Sequence, residues 1–284
     1  MGTGERGLKR LIVTGDDFGL SIPVNEAIEG AHRDGILTAA CLMVGAPAAA
    51  DAVVRAKRIP NLAVGLHIVL ARGRPVLSPE RVPDLIDGMG KFDDNLVRAG
   101  FRYFCLPRAR RQLEAEIRAQ FEAFRATGLS LDHVNAHNHL HVHPTILGAI
   151  LRVGRDFGLK AVRVPFEPVA EGGVGRRIRA ALLGLWVAPM KARLRRAGIA
   201  YNDYVFGLND SGGMDQERMR AVLSHLPDGT SEIFTHPATR RWEDMDSAAS
   251  AYRFEAEYAA LVDADVRAAV TRSGATLVAF RDLH

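Results

Sequence analysis

Cysteine is scarce: the 284 residues hold two, Cys41 and Cys105, in neither a CxxC nor a CxxH spacing. Two isolated thiols build neither a disulfide framework nor a thiolate zinc site, which fits a reducing compartment. Burial as small hydrophobic side chains is the expectation for both. Aromatic residues are also few, at 7%. With alanine, leucine, valine and glycine common, this favours helix-on-sheet packing of small residues over an aromatic-cored sandwich. Long hydrophobic runs are missing. The longest, Ala180 to Met190, is well short of the roughly 20 residues that a membrane-spanning helix needs. The start, MGTGERGLKR, lacks the pattern of a secretory signal, so a cytoplasmic location is expected. Charge is only mildly one-sided, at +4, with arginine well ahead of lysine. Basic clusters interleaved with aromatics are absent, which argues against a nucleic-acid partner.

What is present is a chain large enough, at 48% hydrophobic, to bury one core as a single domain over 1–284. Residues 10–15 (RLIVTG) are apolar and β-branched, the pattern of a strand buried on both faces, and run into Gly-Asp-Asp-Phe-Gly. Ser21 and Pro23 then start a helix that Gly35 stops. The alternation continues with strands at 39–44 and 62–69, and a helix at 48–58 between them. Further helices are expected at 107–127, 144–157, 175–196, 214–224 and 247–272. The remaining strands are expected at 131–136, 161–164, 204–207, 231–235 and 276–280. Residues 71–106 are too long and irregular for a plain connection and read as an active-site loop or lid. Seven or eight strands alternating with helices predict an α/β fold, a single distorted barrel of parallel strands.

The chemistry-bearing residues fall at the C-terminal ends of these strands, where barrels build their sites. Asp16 and Asp17 are adjacent carboxylates that face different directions, so one can meet a cation while the other addresses a water. His67 ends an otherwise apolar strand. In Asn135–Pro144 (NAHNHLHVHP), His137, His139, His141 and His143 alternate and would share one face of an extended chain. Alternate positions lie roughly 6.6 Å apart, so one or two can be ligands while the others contact substrate or support the site. His236, in Thr-His-Pro, ends a late strand. An aspartate with two histidines leaves coordination positions open, as a catalytic metal requires. Asp16 could take a proton from water, and His236 could return one to a leaving group.

Four segments, Leu11–Gly19 (LIVTGDDFG), Ala63–Leu70 (AVGLHIVL), His133–Pro144 (HVNAHNHLHVHP) and Thr235–Pro237 (THP), resemble the YdjC-type carbohydrate deacetylases. The resemblance runs over nearly the whole chain, in order. It implies a barrel-like fold, often dimeric, that removes N-acetyl groups from amino sugars with one divalent metal, Zn²⁺ or Mg²⁺. It implies Asp17, His67 and His137 as metal ligands, Asp16 as the base and His236 as the acid. It leaves His139, His141 and His143 for substrate. Where that family usually reads Asp-Ser-His, this chain has Asn135-Ala136-His137, which should weaken the orientation of a ligand histidine.

The stretch Tyr204–Gly212 adds a resemblance to the hopanoid-associated deacetylases, implying an N-acetylglucosaminyl lipid as substrate; chitooligosaccharides are the alternative. The basic, apolar stretch 175–196, with Trp186, could then lie at a membrane surface. The rival functions are a metal phosphoesterase and a non-catalytic glycolipid-binding protein.

Overall fold

The computed structural model describes residues 8–168 and 174–283, with the backbone alone over 174–183. The apolar run at the start forms β1 (Lys9–Phe18), sealed from Leu11 onward. It lies in the middle of a parallel sheet, between β2 (Ala39–Leu42) and β6 (Gly229–Thr235). Beyond β2 come β3 (Ala63–Ile68) and β4 (Val134–Ala136), and beyond β6 comes β5 (Tyr204–Phe206). Short β7 (Thr276–Leu277) pairs with the start of β1. Burial on both faces explains why these strands read as continuous apolar runs without alternation.

Helices cover the outside. In α1 (Ile22–Asp34) the Ser21 hydroxyl accepts the Val24 N–H, and Pro23 sits in the first turn. Next come α2 (Ala49–Arg58), α3 (Leu96–Cys105), α4 (Pro107–Ala126) and α5 (Pro144–Gly154). On α4 and α5, Leu113, Ile117, Phe121, Ile146 and Ile150 are sealed against the sheet. Each such side chain stabilises the fold by about 1.5–3 kcal/mol relative to exposure. The chain closes with α6 (Val174–Arg196), α7 (Gln216–Ser224), α8 (Phe254–Val262) and α9 (Ala264–Ser273).

The sheet is open, in the order β4-β3-β2-β1-β6-β5, and not the closed barrel that the alternation predicts. The expected strand at 161–164 lies in the gap between its edges. It touches β4 by a Val134–Val162 bridge, and Val205 N–H donates to the Phe166 carbonyl. Pro165 has no N–H to donate to a ladder. The Asn202 side chain takes over instead, accepting the Val164 N–H and donating to the Val164 carbonyl.

Three other expectations change. Residues 71–106 contain α3, which the irregular composition hid. The single helix over 247–272 is two, because Asp263 is extended (ψ 136°) and its carboxylate caps α9 at Val266 N–H. Cys41 is buried as expected, but Cys105 is exposed at the end of α3. The helix expected at 175–196 forms, with Trp186 exposed; Arg176, Arg177 and Arg179 lie outside the residues whose side chains are described.

Candidate active site

The two aspartates lie inside β1, where its pairing with β2 shifts register between Gly15 and Phe18. Asp17 has φ 61°, a left-handed conformation uncommon for a residue with a Cβ. Such backbones cost about 1–3 kcal/mol and persist where the surroundings over-determine them. Here the irregularity turns the neighbouring carboxylates apart. Asp16 points into the protein interior and Asp17 towards two histidines.

Asp17 Oδ1 lies 3.3 Å from His67 Nε2 and 3.1 Å from His137 Nδ1. The two rings meet edge to face, 5.6 Å between centroids. Burial alone would raise the Asp17 carboxyl, but His137 and His67 outweigh it and hold it well below the carboxylate range. Conversely, burial lowers His137, and Asp17 overrides it so that the imidazole sits above its ordinary value. His67 Nδ1 meets the Asn135 side-chain oxygen at 2.7 Å, so Nδ1 donates there and Nε2 is the ring atom that a cation beside Asp17 would take. One carboxylate and two imidazoles, with ligand atoms within 4.8 Å of one another, suit a divalent cation whose shell water or substrate completes.

Asp16, Cys41 and His67 form a second compact cluster. It is a poor cation site because Asp16 is already paired with Arg163. Burial also raises the Cys41 thiol well above its ordinary value, keeping it protonated.

Sequence reasoning missed Arg163, which is wholly buried. Its Nη1 and Nη2 donate to the two Asp16 oxygens at 2.6 and 2.9 Å. Its Nε and Nη2 also donate to Glu232, whose Oε1 accepts the Thr14 hydroxyl. Burial raises the Asp16 carboxyl, yet Arg163 overrides that and holds it ionised, far below the usual range. The available signal was an arginine in the otherwise apolar run Ala161–Pro165.

His236 lines the same cavity, which has a volume of about 300 Å³ and includes Asp16, Asp17, His67, Arg72, His137 and His139 in its walls. Its ring packs 5.0 Å from Tyr252 and 5.6 Å from Phe234. Its backbone N–H donates to buried Glu257 at 2.6 Å, and Nδ1 is buried with no protein partner among the described residues. The other walls come from 208–211 and 242–254; of the supposed lid at 71–106, only Arg72 reaches the cavity.

The histidine run does not stay extended. Asn138 and His139 have φ 54° and 53°, which bends the chain immediately after His137. His139 faces the cavity and is kept neutral, with burial and then Arg163 pushing it well below its ordinary value. His141 and His143, expected with His139 to contact substrate, are not among the residues that line the cavity. His141 is buried, pushed down to about 3 mainly by burial, and its Nε2 donates to the Arg163 carbonyl. His143 caps α5, its Nδ1 accepting the Thr145 N–H. Asn135 supports His67 on the neighbouring strand, whereas the sequence pattern pointed to a weakened orientation of a ligand histidine.

A family model described as YdjC-like protein matches residues 10–272. A carbohydrate deacetylase of Geobacillus stearothermophilus is 32% identical over 279 residues, covering 96% of this chain and 97% of the relative. One from Thermoanaerobacter pseudethanolicus is 27% identical over 260 residues, covering 91% and 93%. One from Brevibacillus brevis is 42% identical over 160 residues, which is 55% of this chain and 60% of that protein's length. A crystal structure from Enterococcus faecalis V583, of a protein provisionally named for cellobiose-phosphate cleavage, superposes with a TM-score of 0.75. It covers 97% of this chain and 99% of that one at 22% identity, a likeness of fold alone.

Proposed function

The chain belongs to the YdjC-like protein family, and from that premise we propose that it is a metal-dependent carbohydrate deacetylase acting on an N-acetylated amino sugar. The observation that carries this reading is the convergence of Asp17, His67 and His137 on one wall of a cavity that Asp16 and His236 also line. Relatives over nearly the full length are carbohydrate deacetylases, which agrees with it.

Asp17, His67 and His137 would hold the cation, which when bound polarises an acetyl carbonyl and acidifies water, so that a weak base suffices. Asp16 is that base. Arg163 fixes both of its oxygens, leaving the carboxylate ionised and unable to rotate away. His236 supplies the proton that the departing amine needs, since an amine anion is too poor a leaving group. The Asn135 oxygen faces His67 Nδ1, leaving Nε2 as the atom that would bind the cation. A phosphoesterase normally needs two or three metals with more ligands; the second cluster here shares His67 with the first and is already paired.

The proposal extends to a lipid-linked sugar, such as an N-acetylglucosaminyl hopanoid. A cavity of about 300 Å³ is at the small end for ligand sites and takes a sugar head, leaving a lipid outside. Leu185 and Trp186 on α6, and Phe101 and Phe104 on α3, are exposed apolar side chains that a lipid could meet. Among the described residues no helix is long and apolar enough to cross a membrane. A second reading, chitooligosaccharide deacetylation, draws on Trp242, Phe254 and Tyr252, an aromatic wall on which a further sugar ring could stack.

Mass spectrometry of acetyl loss tests both, comparing an N-acetylglucosaminyl lipid with chitobiose, each with and without chelator. Chelator-sensitive loss from the lipid supports the full proposal. Loss from chitobiose alone selects the second reading, and no loss from either overturns deacetylation.

A further inference from the structure

We propose that Asp132, His133, Cys41 and Asn135 form a buried hydrogen-bond chain that positions His67, with the Cys41 thiol as the link that sets its direction. The inference rests on the reading above, in which His67 is a metal ligand. It gives a role to three buried polar residues, Asp132, His133 and Cys41, that the catalytic steps do not use.

The chain is continuous. Asp132 Oδ2 meets His133 Nδ1 at 2.7 Å, and His133 Nε2 meets Cys41 Sγ at 3.1 Å. Asn135 Nδ2 meets Cys41 Sγ at 3.1 Å, and the Asn135 oxygen meets His67 Nδ1 at 2.7 Å. Cys41, His133 and Asn135 are fully sealed, His67 is 2% exposed and Asp132 6%. Bulk water is therefore excluded, and these groups take their partners from the protein, mostly from one another.

Asp132 sets the proposed direction of the chain. Asp132 can only accept, and also takes the Arg281 N–H on Oδ1 at 3.0 Å, so His133 donates through Nδ1. In the proposed direction the ring accepts at Nε2, and the Cys41 S–H points to it. The Cys41 sulfur is left to accept from Asn135. At the other end, Asp16 Oδ1 lies 3.3 Å from Asn135 Nδ2, a long contact that favours the same amide orientation but leaves the Cys41 sulfur at 3.1 Å as its main anchor. The Asn135 oxygen must face His67 and receive its Nδ1 proton. The result is one tautomer, with His67 Nε2 left as the ligating atom beside Asp17 and His137.

The surroundings are built for this. His133 stacks on Phe280, centroids 4.3 Å apart and planes at 24°. Its ring occupies the space where a Cβ on Gly65 would stand, 2.5 Å from the ring carbon, so β3 carries glycine there. Asn135 suits the chain better than the aspartate usual in the resembling family. A carboxylate at this point would face Asp16 and would draw the Cys41 proton away from His133.

The test uses the metal-free full-length protein and two variants. Cys41→Ser keeps a donor and an acceptor, whereas Cys41→Ala breaks the chain. Long-range ¹H–¹⁵N spectra report the His67 tautomer, and competition with a chromogenic chelator reports Zn²⁺ affinity. Cys41→Ser should keep the Nδ1–H form and near-native affinity. Cys41→Ala should mix the tautomers and bind Zn²⁺ about 10–100-fold more weakly, the usual cost of losing an outer partner of a ligand. Should Cys41→Ala not fold, Asp132→Asn carries the same test, because it removes the anion that sets the direction. Native tautomer and affinity in the broken variant, or equal weakening in Cys41→Ser, would overturn the proposal. Wild-type protein with an ordered His67 tautomer but no Zn²⁺ affinity would sink the metal reading instead and leave the chain standing.

Discussion

Arg163 grips Asp16 with two parallel hydrogen bonds, 2.6 and 2.9 Å, while its guanidinium also faces Glu232 at 2.7 Å. One cation is thus shared between two buried carboxylates, and Phe234 lies against its plane, 5.0 Å from the ring centre. The candidate base is held in place by a residue on the segment that lies in the sheet's gap.

Removing Arg163 should therefore unfold more than it inactivates. Arg163→Met leaves Asp16 and Glu232 buried without a cation, and breaking such a pair costs about 3–5 kcal/mol. Arg163→Lys keeps a charge but loses the planar fork. It should stay folded, bind metal and lose turnover. Urea denaturation and turnover measured on both variants separate the two effects; native stability in Arg163→Met would refute the shared-cation account.

Asp16 and Asp17 should respond differently despite being neighbours. Asp16→Asn is expected to retain metal and lose turnover by about 10²–10⁴, the scale of a general base. His137→Ala should lose stoichiometric metal along with activity, as should Asp17→Ala. Metal content by elemental analysis, set beside turnover, checks this. Full activity in Asp16→Asn would remove it from the mechanism.

Glu257 gives the fold a pH dependence of its own. It accepts the N–H groups of both Met214 and His236, and burial raises its carboxyl above the ordinary value. A carboxyl raised in the folded state contributes stability that is full below its unfolded value and is lost as pH rises through the folded value. Glu257→Gln cannot titrate. The stability difference between wild type and variant should therefore shrink or reverse as pH rises through that window, in thermal denaturation across acid to neutral pH. A difference that grows with pH would contradict the buried-acid reading.

Gly65→Ala should damage the site from a distance. The new Cβ would meet three atoms of the His133 ring at 2.5–2.7 Å, and the ring has Phe280 behind it. Overpacking of this kind costs about 1–3 kcal/mol, and the displaced ring should also disturb His67. A lowered melting temperature with weakened Zn²⁺ binding is the expected pair of results.

The α/β character and most element positions were legible because their signals are local. Ser21, Pro23 and Gly35 bound α1, and Gly128 follows α4, each acting on its own backbone. Strand-end placement likewise brought Asp16, Asp17, His67 and His236 to one side of the sheet. Less visible was α3, whose exposed Val97, Phe101 and Phe104 gave no clean core stripe. The walls of the cavity at 208–211 and 242–254 were also hidden, since loops carry no periodicity to read.

By itself, the sequence determined the alternation of strand and helix, the paired aspartates at a strand end and the candidate histidines, because spacing and turn chemistry act over a few residues. Spacing alone left the four histidines of the run equivalent and the resemblance pointed to His137; the tertiary structure brings His137 to Asp17, with two left-handed residues bending the chain immediately after it. It also decided that the sheet stays open beside Pro165 and that Arg163, 147 positions along the chain from Asp16, holds the candidate base. Such choices depend on burial. A charge or an imidazole proton excluded from water is fixed by whatever partner packing brings within about 3 Å, and no local pattern encodes that distance.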